Sequence, residues 1–190
     1  MKKIFDYTLA LIALIALAPL FLLIAILIKK DSKGPVFFKQ KRVGLNQKIF
    51  EIYKFRTMID GAINIGKGLS IEKNDTRITK LGKFLRKTSL DELPQFINIL
   101  RGEMSFVGPR PPVPYHPYKI GEYSIEKAKR FGVKPGITGL AQVTGRNNLS
   151  WDERIVYDVE YVKKQSFLFD IKILINTFLK VLKKEDVYNF

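Results

Sequence analysis

The strongest pattern in the chain is one apolar run near its start. From Leu9 to Ile28 every residue is apolar apart from Pro19. A helix of that length extends about 30 Å, the thickness of the hydrocarbon core of a bilayer. Because the run continues directly into Lys29-Lys30 without a small-residue cleavage site, a cleaved signal peptide fits poorly. The pattern therefore predicts a membrane segment.

Basic residues flank this segment at both ends. Lys2-Lys3 precedes it and Lys29-Lys30 follows it, so the positive-inside rule assigns both flanks to the cytoplasmic side. A straight helix cannot satisfy both assignments. Proline removes a backbone hydrogen bond and clashes with the preceding turn, so Pro19 can bend the helix and return both ends to one face. The sequence favours a re-entrant helix over residues 1–30, with a kinked single span as the alternative.

After the apolar run the pattern becomes typical of β-strands. Val36-Phe37-Phe38 and the stretch Ile49–Phe55 lie on either side of Gly44-Leu45-Asn46, which predicts a β-hairpin. Period-two alternation places Lys54 and Arg56 on one strand face, where two cations could bracket a pyrophosphate. A solvated sheet edge or a surface for lipid headgroups fits this spacing equally well. Further cations lie nearby in sequence: Lys39, Lys41, Arg42 and Lys48.

Helical patterns follow the hairpin. From Thr79 to Lys87 basic and apolar residues alternate, which predicts a short amphipathic helix with a cationic side. A helix is predicted from Trp151 to Lys164 with Ser150 as its cap. The last predicted helix runs from Phe167 to Lys184, and its apolar stripe fits either core packing or the membrane interface. The polar, glycine-bearing stretch Asp60–Asp75 is predicted to be a surface loop.

Two adjacent carboxylates lie in Thr88-Ser89-Leu90-Asp91-Glu92-Leu93-Pro94-Gln95. Proline is tolerated only in the first turn of a helix, so Pro94 predicts a helix start close to Asp91, and Ser89 with Glu92 matches a capping box. The positive end of the helix dipole then stabilises the ionised forms of both acids. Such a carboxylate can serve as a nucleophile, a general base or a magnesium ligand. An ordinary acidic cap is the alternative.

Two turn-rich segments add candidate residues. In Val107-Gly108-Pro109-Arg110-Pro111-Pro112-Val113-Pro114 the prolines make a stiff loop that fixes the direction of Arg110, and a guanidinium suits bidentate phosphate recognition. An exposed polyproline-type linker is the alternative. The segment from Val133 to Asn147 contains three glycines, which permit the backbone to approach a ligand closely. Asp158 and Glu160 add carboxylates of a kind that usually form surface ion pairs.

The composition of the chain excludes several kinds of functional site. The chain has 190 residues, 46% of them hydrophobic, which is enough for one domain with a core. With no cysteine and a single histidine, His116, it has no disulfide framework, thiolate zinc site or histidine cluster. A net charge of +15 predicts an anionic partner. Nucleic acid, phospholipid headgroups and phosphorylated small molecules all qualify.

Taken together, these segments resemble the bacterial sugar transferase family, the monotopic phosphoglycosyl transferases. The likeness covers nearly the whole chain and depends on several blocks in the right order, not on one motif. The blocks are the proline-broken segment, Lys54–Met58, Asn74–Gly82, Ser89–Gln95, Met104–Pro111, Lys134–Gln142 and Tyr157-Asp158-Val159. One departure is Ala18-Pro19, since small members of the family often have Ser-Pro at the membrane break.

The resemblance implies a reaction and a set of site residues. The family hands a phosphosugar from a UDP-sugar to polyprenyl phosphate and releases UMP. Asp91 is then the nucleophile that forms a covalent phosphosugar intermediate, Glu92 is its acidic partner, and Mg²⁺ binds the diphosphate near Asp91. Together with the argument from the strand face, the predicted substrate-binding residues are Lys54, Arg56, Arg110, Arg146, Asp158 and Asp170.

The expected architecture is α+β and mainly helical. It comprises the re-entrant helix over residues 1–30, a small β-hairpin, and amphipathic interfacial helices around one compact catalytic domain over residues 31–190. The resemblance implies a place on the cytoplasmic face of the bacterial inner membrane, among phospholipids, and leaves open whether the protein forms a homo-oligomer. A membrane-anchored nucleic-acid binder and a purely structural anchor are the rival classes, but neither gives the acidic pair a task. Nucleic acid is therefore not expected as a partner.

Overall fold

A computed structural model describes residues 1–65, 75–145 and 149–183, and the described chain is mainly helical. The helices are α1 (Lys2–Ala16), α2 (Ala18–Asp31), α3 (Lys80–Lys87), α4 (Gln95–Leu100), α5 (Ile125–Ala128), α6 (Leu140–Thr144), α7 (Trp151–Lys164) and α8 (Phe167–Leu182). The strands are β1 (Phe37–Val43), β2 (Ile49–Phe55), β3 (Ser105–Val107) and β4 (Gly136–Thr138).

The predicted apolar run forms the bent pair α1 and α2. The helices meet at Leu17 and their axes differ by 61°. Pro19 is the second residue of α2, so its missing N–H is the one that would bond to the carbonyl of Ile15, and its ring would crowd that carbonyl. In the described part of the chain no single helix is long and apolar enough to cross a membrane, whereas this bent pair qualifies by length and composition.

The predicted hairpin is confirmed, since β1 and β2 pair antiparallel along their whole length. The fully buried side chain of Asn98 fixes α4 to this hairpin. Its oxygen accepts a hydrogen bond from the Tyr53 N–H at 3.0 Å, and its amide donates to the Glu51 carbonyl at 2.7 Å. The helix that follows the acidic pair is therefore locked onto the strand that carries Lys54.

A second, parallel sheet was not predicted from the sequence. In it β3 pairs with β4, with Ser105 opposite Gly136 and Val107 opposite Thr138. A Cβ at Gly136 would lie 2.1 Å from the backbone nitrogen of Gly108, so only glycine permits this crossing. The glycine-rich segment was predicted to let the backbone approach a ligand closely. At Gly136 the close approach is instead to the neighbouring strand.

The main core includes the N-terminal half of α1. Ala10 is fully buried there among side chains from β2, α4, β3, α7 and α8. The carboxylate of Asp6 is also buried, and it accepts hydrogen bonds from the Ser105 hydroxyl at 2.8 Å and the Phe106 N–H at 3.3 Å. The first part of the apolar segment is therefore built into the same core as the strands.

The last two helices differ in how well the sequence predicted them. α7 has the predicted bounds, and Ser150 with Glu153 forms a complete capping box. In α8 the predicted apolar stripe does not pack in the core at Ile175 and Phe178, which are 55% and 63% exposed. The buried side of α8 instead carries Asp170 and Ile173.

Candidate active site

The acidic pair lies on a short 3-10 turn, Leu90–Glu92, and not in the first turn of an α-helix. Ser89 adopts a left-handed conformation with φ 57°, and its side chain makes no capping hydrogen bond, so the predicted capping box is wrong. α4 begins only after Pro94, which takes its N-cap position. The turn and α4 together fix both carboxylates next to β2.

Glu92 is held by two cations. Its Oε1 lies 2.6 Å from the Lys54 Nζ and 3.4 Å from the Arg110 guanidinium. Burial alone would raise the pKa of Glu92, but the charges of Lys54 and Arg110 outweigh it and hold the pKa well below its usual range. Glu92 is therefore ionised throughout the physiological range and acts as a clamp on both cations.

Asp91 behaves in the opposite way. Its side chain is buried, and burial together with the adjacent negative charge of Glu92 raises its pKa to about 6. The positive charges of Lys54, Arg86 and Arg110 oppose this rise but do not cancel it. Two neighbouring carboxylates with such separated pKa values can take separate roles in one reaction.

A small cleft opens beside Glu92, the second residue of the pair. Its lining residues include Arg42, Lys54, Glu92, Gln95 and Arg110. The structure thus brings together Lys54, Glu92 and Arg110, as the sequence predicted. Sequence analysis did not assign Arg42 or Gln95. The signal for Arg42 was present in the hairpin register, because alternate residues of β1 ending at Arg42 share a face with Lys54.

The loop that carries Arg110 is supported from behind. Arg130 donates to the Arg110 carbonyl at 2.8 Å, and Arg42 donates to the Pro111 carbonyl at 3.0 Å. Arg130 in turn lies 2.6 Å from Asp158, and both side chains are about 1% exposed. Asp158 therefore supports the loop through a buried ion pair and does not line the cleft, and its predicted contact with substrate stays a prediction.

Asp170 lies in a second buried network. It is 2.6 Å from the Lys2 Nζ and accepts a hydrogen bond from the Tyr161 hydroxyl at 2.7 Å. Lys2 and Tyr161 both also donate to the Val107 carbonyl, at 3.0 and 3.1 Å. These contacts tie the first turn of α1 to β3, α7 and α8, a structural task, and binding of substrate by Asp170 stays a prediction.

The remaining predicted residues lie elsewhere. Arg56 is buried, and its guanidinium donates to the backbone carbonyls of Ser32 and Lys33 just after α2. Those contacts give it a structural task at the end of the apolar segment, and its binding of substrate also stays a prediction. Arg146 lies outside the described residues.

Comparison with known proteins decides the family. The sequence model described as "Bacterial sugar transferase" matches residues 1–184. The chain belongs to the bacterial sugar transferase family. It is 44% identical over 188 residues to the uncharacterized sugar transferase EpsL of Bacillus subtilis, covering 98% of this chain and 90% of that protein. The predicted family resemblance is therefore confirmed.

Two further relatives differ in how much of their length the sugar transferase chain covers. It is 44% identical over 195 residues to the UDP-glucose:undecaprenyl-phosphate glucose-1-phosphate transferase of Xanthomonas campestris, covering 98% of this chain but only 40% of that protein. It is 40% identical over 190 residues to the exopolysaccharide production protein ExoY of Sinorhizobium fredii, covering 93% and 83%. The chain thus spans most of ExoY and less than half of the Xanthomonas enzyme.

The described side chains at the acidic pair offer few ligands for a metal ion. Among the residues that the structure describes, no three Asp, Glu, His or Cys side chains converge. Mg²⁺ in phosphate-handling sites is usually bound by one or two carboxylates, with substrate phosphates and water completing its six ligands. Asp91 fits that pattern, whereas Glu92 is already engaged by Lys54 and Arg110.

Proposed function

We propose that this protein transfers a phosphosugar from a UDP-sugar to polyprenyl phosphate and releases UMP. The observation that carries the proposal is the contrast within the acidic pair, in which Glu92 holds the cations Lys54 and Arg110 while Asp91 is buried with a raised pKa. A relative in Escherichia coli is named UDP-glucose:undecaprenyl-phosphate glucose-1-phosphate transferase, and one in Salmonella typhimurium is named undecaprenyl-phosphate galactose phosphotransferase. Those names support a UDP-hexose as the donor.

In the first step a carboxylate oxygen of Asp91 attacks the β-phosphorus of the donor. A bond forms between that oxygen and phosphorus, and the bond from phosphorus to the bridging oxygen breaks. The electron pair stays on the bridging oxygen, which leaves as part of UMP. At pH 7 a carboxylate with a pKa of about 6 is mostly ionised, so Asp91 needs no separate base.

In the second step an oxygen of polyprenyl phosphate attacks the same phosphorus. The bond from phosphorus to Asp91 breaks, the carboxylate is regenerated, and polyprenyl-diphosphate-sugar is the product. Phosphoryl transfer depends mainly on positioning and on neutralising charge. Lys54 and Arg110, both fixed by Glu92, supply that neutralisation beside Asp91 in each step.

Mg²⁺ is part of this proposal. Asp91 and the diphosphate oxygens of the donor are the ligands that the site offers, and the bound ion would neutralise phosphate charge. The cations of the chain would keep the diphosphate oriented, and burial of the Asp91 side chain would limit access of water to the carboxylate.

The site is proposed to lie at a membrane surface, reached by a re-entrant helix pair. The start of the apolar segment is bound to the catalytic part through Lys2 and Asp6. Its end is bound there too, because Arg56 donates to the carbonyls that follow α2 and the Leu81 N–H donates to Asp31 at 3.2 Å. Contacts at both ends support a re-entrant segment over a single span, since a span separates its ends by a bilayer.

Exposed apolar side chains agree with this placement. Leu22 and Leu23 of α2 are more than half exposed, as are Ile12 and Ile15 of α1. The outer face of α8 and Phe84 on the cationic helix α3 add further apolar surface. Apolar patches beside cationic residues are typical of surfaces that lie in the headgroup region, where the phosphate of the acceptor lipid is found.

The experiment that tests the function identifies the released nucleotide. Purified protein is given Mg²⁺, polyprenyl phosphate and a panel of UDP-sugars, and the nucleotide products are separated by chromatography. Release of UMP, dependent on both the sugar and the lipid, is the expected result. Release of UDP would mean transfer at the sugar carbon and would overturn the role of Asp91.

A further inference from the structure

We propose that Arg42 binds the nucleoside-side phosphate of the donor, the phosphate that leaves as UMP. This inference deepens the proposed function and depends on it. Lys54 and Arg110 serve the phosphorus that is attacked, whereas Arg42 serves the leaving group.

The backbone places Arg42 on the wall of the cleft. Antiparallel pairing sets Gln40 opposite Ile52 and Phe38 opposite Lys54, so Arg42 and Lys54 extend from the same face of the hairpin. Two hydrogen bonds fix its guanidinium: one to the Pro111 carbonyl at 3.0 Å and one to the Gln40 Oε1 at 2.6 Å. A guanidinium held in this way is oriented before any ligand arrives.

Arg42 makes no direct ion pair in the described part of the chain. Lys54 and Arg110 both contact Glu92, but within the described ranges no carboxylate lies at ion-pair distance from Arg42. Burial and the nearby charge of Arg110 lower the pKa of Arg42 to about 10. A partly buried cation next to another cation is stabilised when an anion enters, and phosphate oxygens match the fork of a guanidinium.

The order of charges along the cleft points to the leaving group. Glu92, which follows Asp91 in sequence, contacts Lys54 at one end of the hairpin, and Arg42 lies near the other end. Arg110 contacts Glu92 at 3.4 Å, and Arg42 donates to the carbonyl of the residue after Arg110. Arg110 therefore lies between the acidic pair and Arg42. In an in-line transfer the leaving oxygen lies on the far side of the phosphorus from the nucleophile, and Arg42 is the cleft cation at that end.

Kinetics give the first readout. In-line attack brings the acceptor phosphate to the side of the phosphorus that UMP has left, so kcat/KM for polyprenyl phosphate does not separate this role from a structural one. For Arg42→Gln we expect kcat/KM for the UDP-sugar to fall about tenfold or more, the cost of a lost charged hydrogen bond, and an unchanged constant would overturn the proposal. If Arg42 only supported Arg110 through Pro111, UMP, which lacks the attacked phosphorus, would bind the variant as well as it binds the wild type.

Direct binding of UMP provides the second readout, measured by calorimetry at fixed salt on the full-length protein. The dissociation constant is expected to rise about tenfold in Arg42→Gln, and less in Arg42→Lys, which keeps the charge but loses the fork. The matched control is Lys41→Gln, which removes the exposed neighbouring charge and should leave UMP binding unchanged. Equal weakening by Lys41→Gln would reveal a general charge effect and overturn the assignment.

The two proposals can fail separately. If the wild-type protein releases UDP, the proposed function fails whatever Arg42 does. If it releases UMP but Arg42→Gln binds UMP as well as the wild type does, only the role of Arg42 fails. Should Arg42→Gln not fold, Arg42→Lys carries the same test with a smaller expected change.

Discussion

The cleft at Asp91 and the buried ion pair at Asp158 are built from the same residue types. In both, burial raises the pKa of an aspartate to about 6 despite nearby cations. Asp91 precedes Glu92, an acid that lines a cleft and anchors two of its cations. Asp158 is sealed against Arg130, which it contacts at 2.6 Å. A raised pKa therefore does not identify a reactive group by itself. The two sites differ because the cations near Asp91 are paired with another acid beside a cleft, whereas Asp158 is itself paired with its cation.

Asp91→Asn breaks the reactive side of this comparison and should have the largest effect. An amide cannot form the bond to phosphorus, so we expect turnover to fall by at least about a thousandfold. The fold should survive, because the substitution removes a buried charge whose folded pKa lies above its unfolded value. Wild-type turnover in this variant, measured by UMP release, would remove the covalent mechanism.

The stability of Asp91→Asn relative to the wild type should depend on pH. A carboxylate with a raised folded pKa costs stability above that pKa and costs nothing below its unfolded value near 4. The variant should therefore be close to the wild type in stability at pH 3 and be the more stable protein at pH 7. Thermal unfolding at the two pH values measures the difference.

Arg130→Met removes the cation of the buried ion pair at Asp158 and should have the next largest effect. It leaves Asp158 buried without its cation and removes the donor to the Arg110 carbonyl, so we expect a loss of about 3 kcal/mol in the free energy of unfolding at pH 8. The loss should shrink at pH 5, where Asp158 becomes protonated. Denaturant unfolding in detergent measures it. An unchanged stability at pH 8 would contradict the buried ion pair.

The pH dependence of turnover sharpens the comparison further. With a pKa of about 6, Asp91 is mostly ionised at pH 7 and mostly protonated at pH 5. The value of kcat/KM for the UDP-sugar should therefore fall about tenfold between these pH values. Glu92 stays ionised over this range because Lys54 and Arg110 lower its pKa. A flat profile from pH 5 to pH 7 would contradict an ionised Asp91 as the attacking group.

Lys2→Met should have the smallest effect. The ammonium is partly exposed, so its ion pair with Asp170 contributes about 1 kcal/mol to stability. A lowered melting temperature with turnover retained is the expected result. Lys3→Met is the matched control, since Lys3 is exposed and contacts only the ring of Tyr7 among the residues described. A large loss of turnover in Lys2→Met alone would place Asp170 in the reaction.

The sequence predicted features that depend on local pattern. Alternation predicted the hairpin, and Ser150 as a cap predicted the start of α7. Reasoning from a capping motif failed at Ser89, where the sequence matched but the backbone is left-handed and the side chain makes no capping hydrogen bond. Capping motifs are common, and a neighbouring proline can move the helix start by several residues.

Features that depend on distant pairing were not predictable from local pattern. The strand at Gly136 has only three residues, too few to show an alternating pattern. It pairs with β3 because a glycine there lets the two backbones come close together. Arg42 looked like one of several surface cations, and only the register of the hairpin separates it from Lys41. Asp158 and Asp170 were grouped with the site by resemblance, although their partners are Arg130 and Lys2.

The anchoring of α1 also sets an order for biogenesis. Lys2 and Asp6 emerge first from the ribosome, but their partners Ser105 and Asp170 follow roughly 100 and 170 residues later. At an elongation rate of about 5–20 residues per second, the start of the segment lacks these partners for several seconds of synthesis. Arg56 and Leu81, which hold the end of the segment, are made earlier. We therefore expect the end of the apolar segment to be fixed first and its start to be fixed last, once α8 is complete.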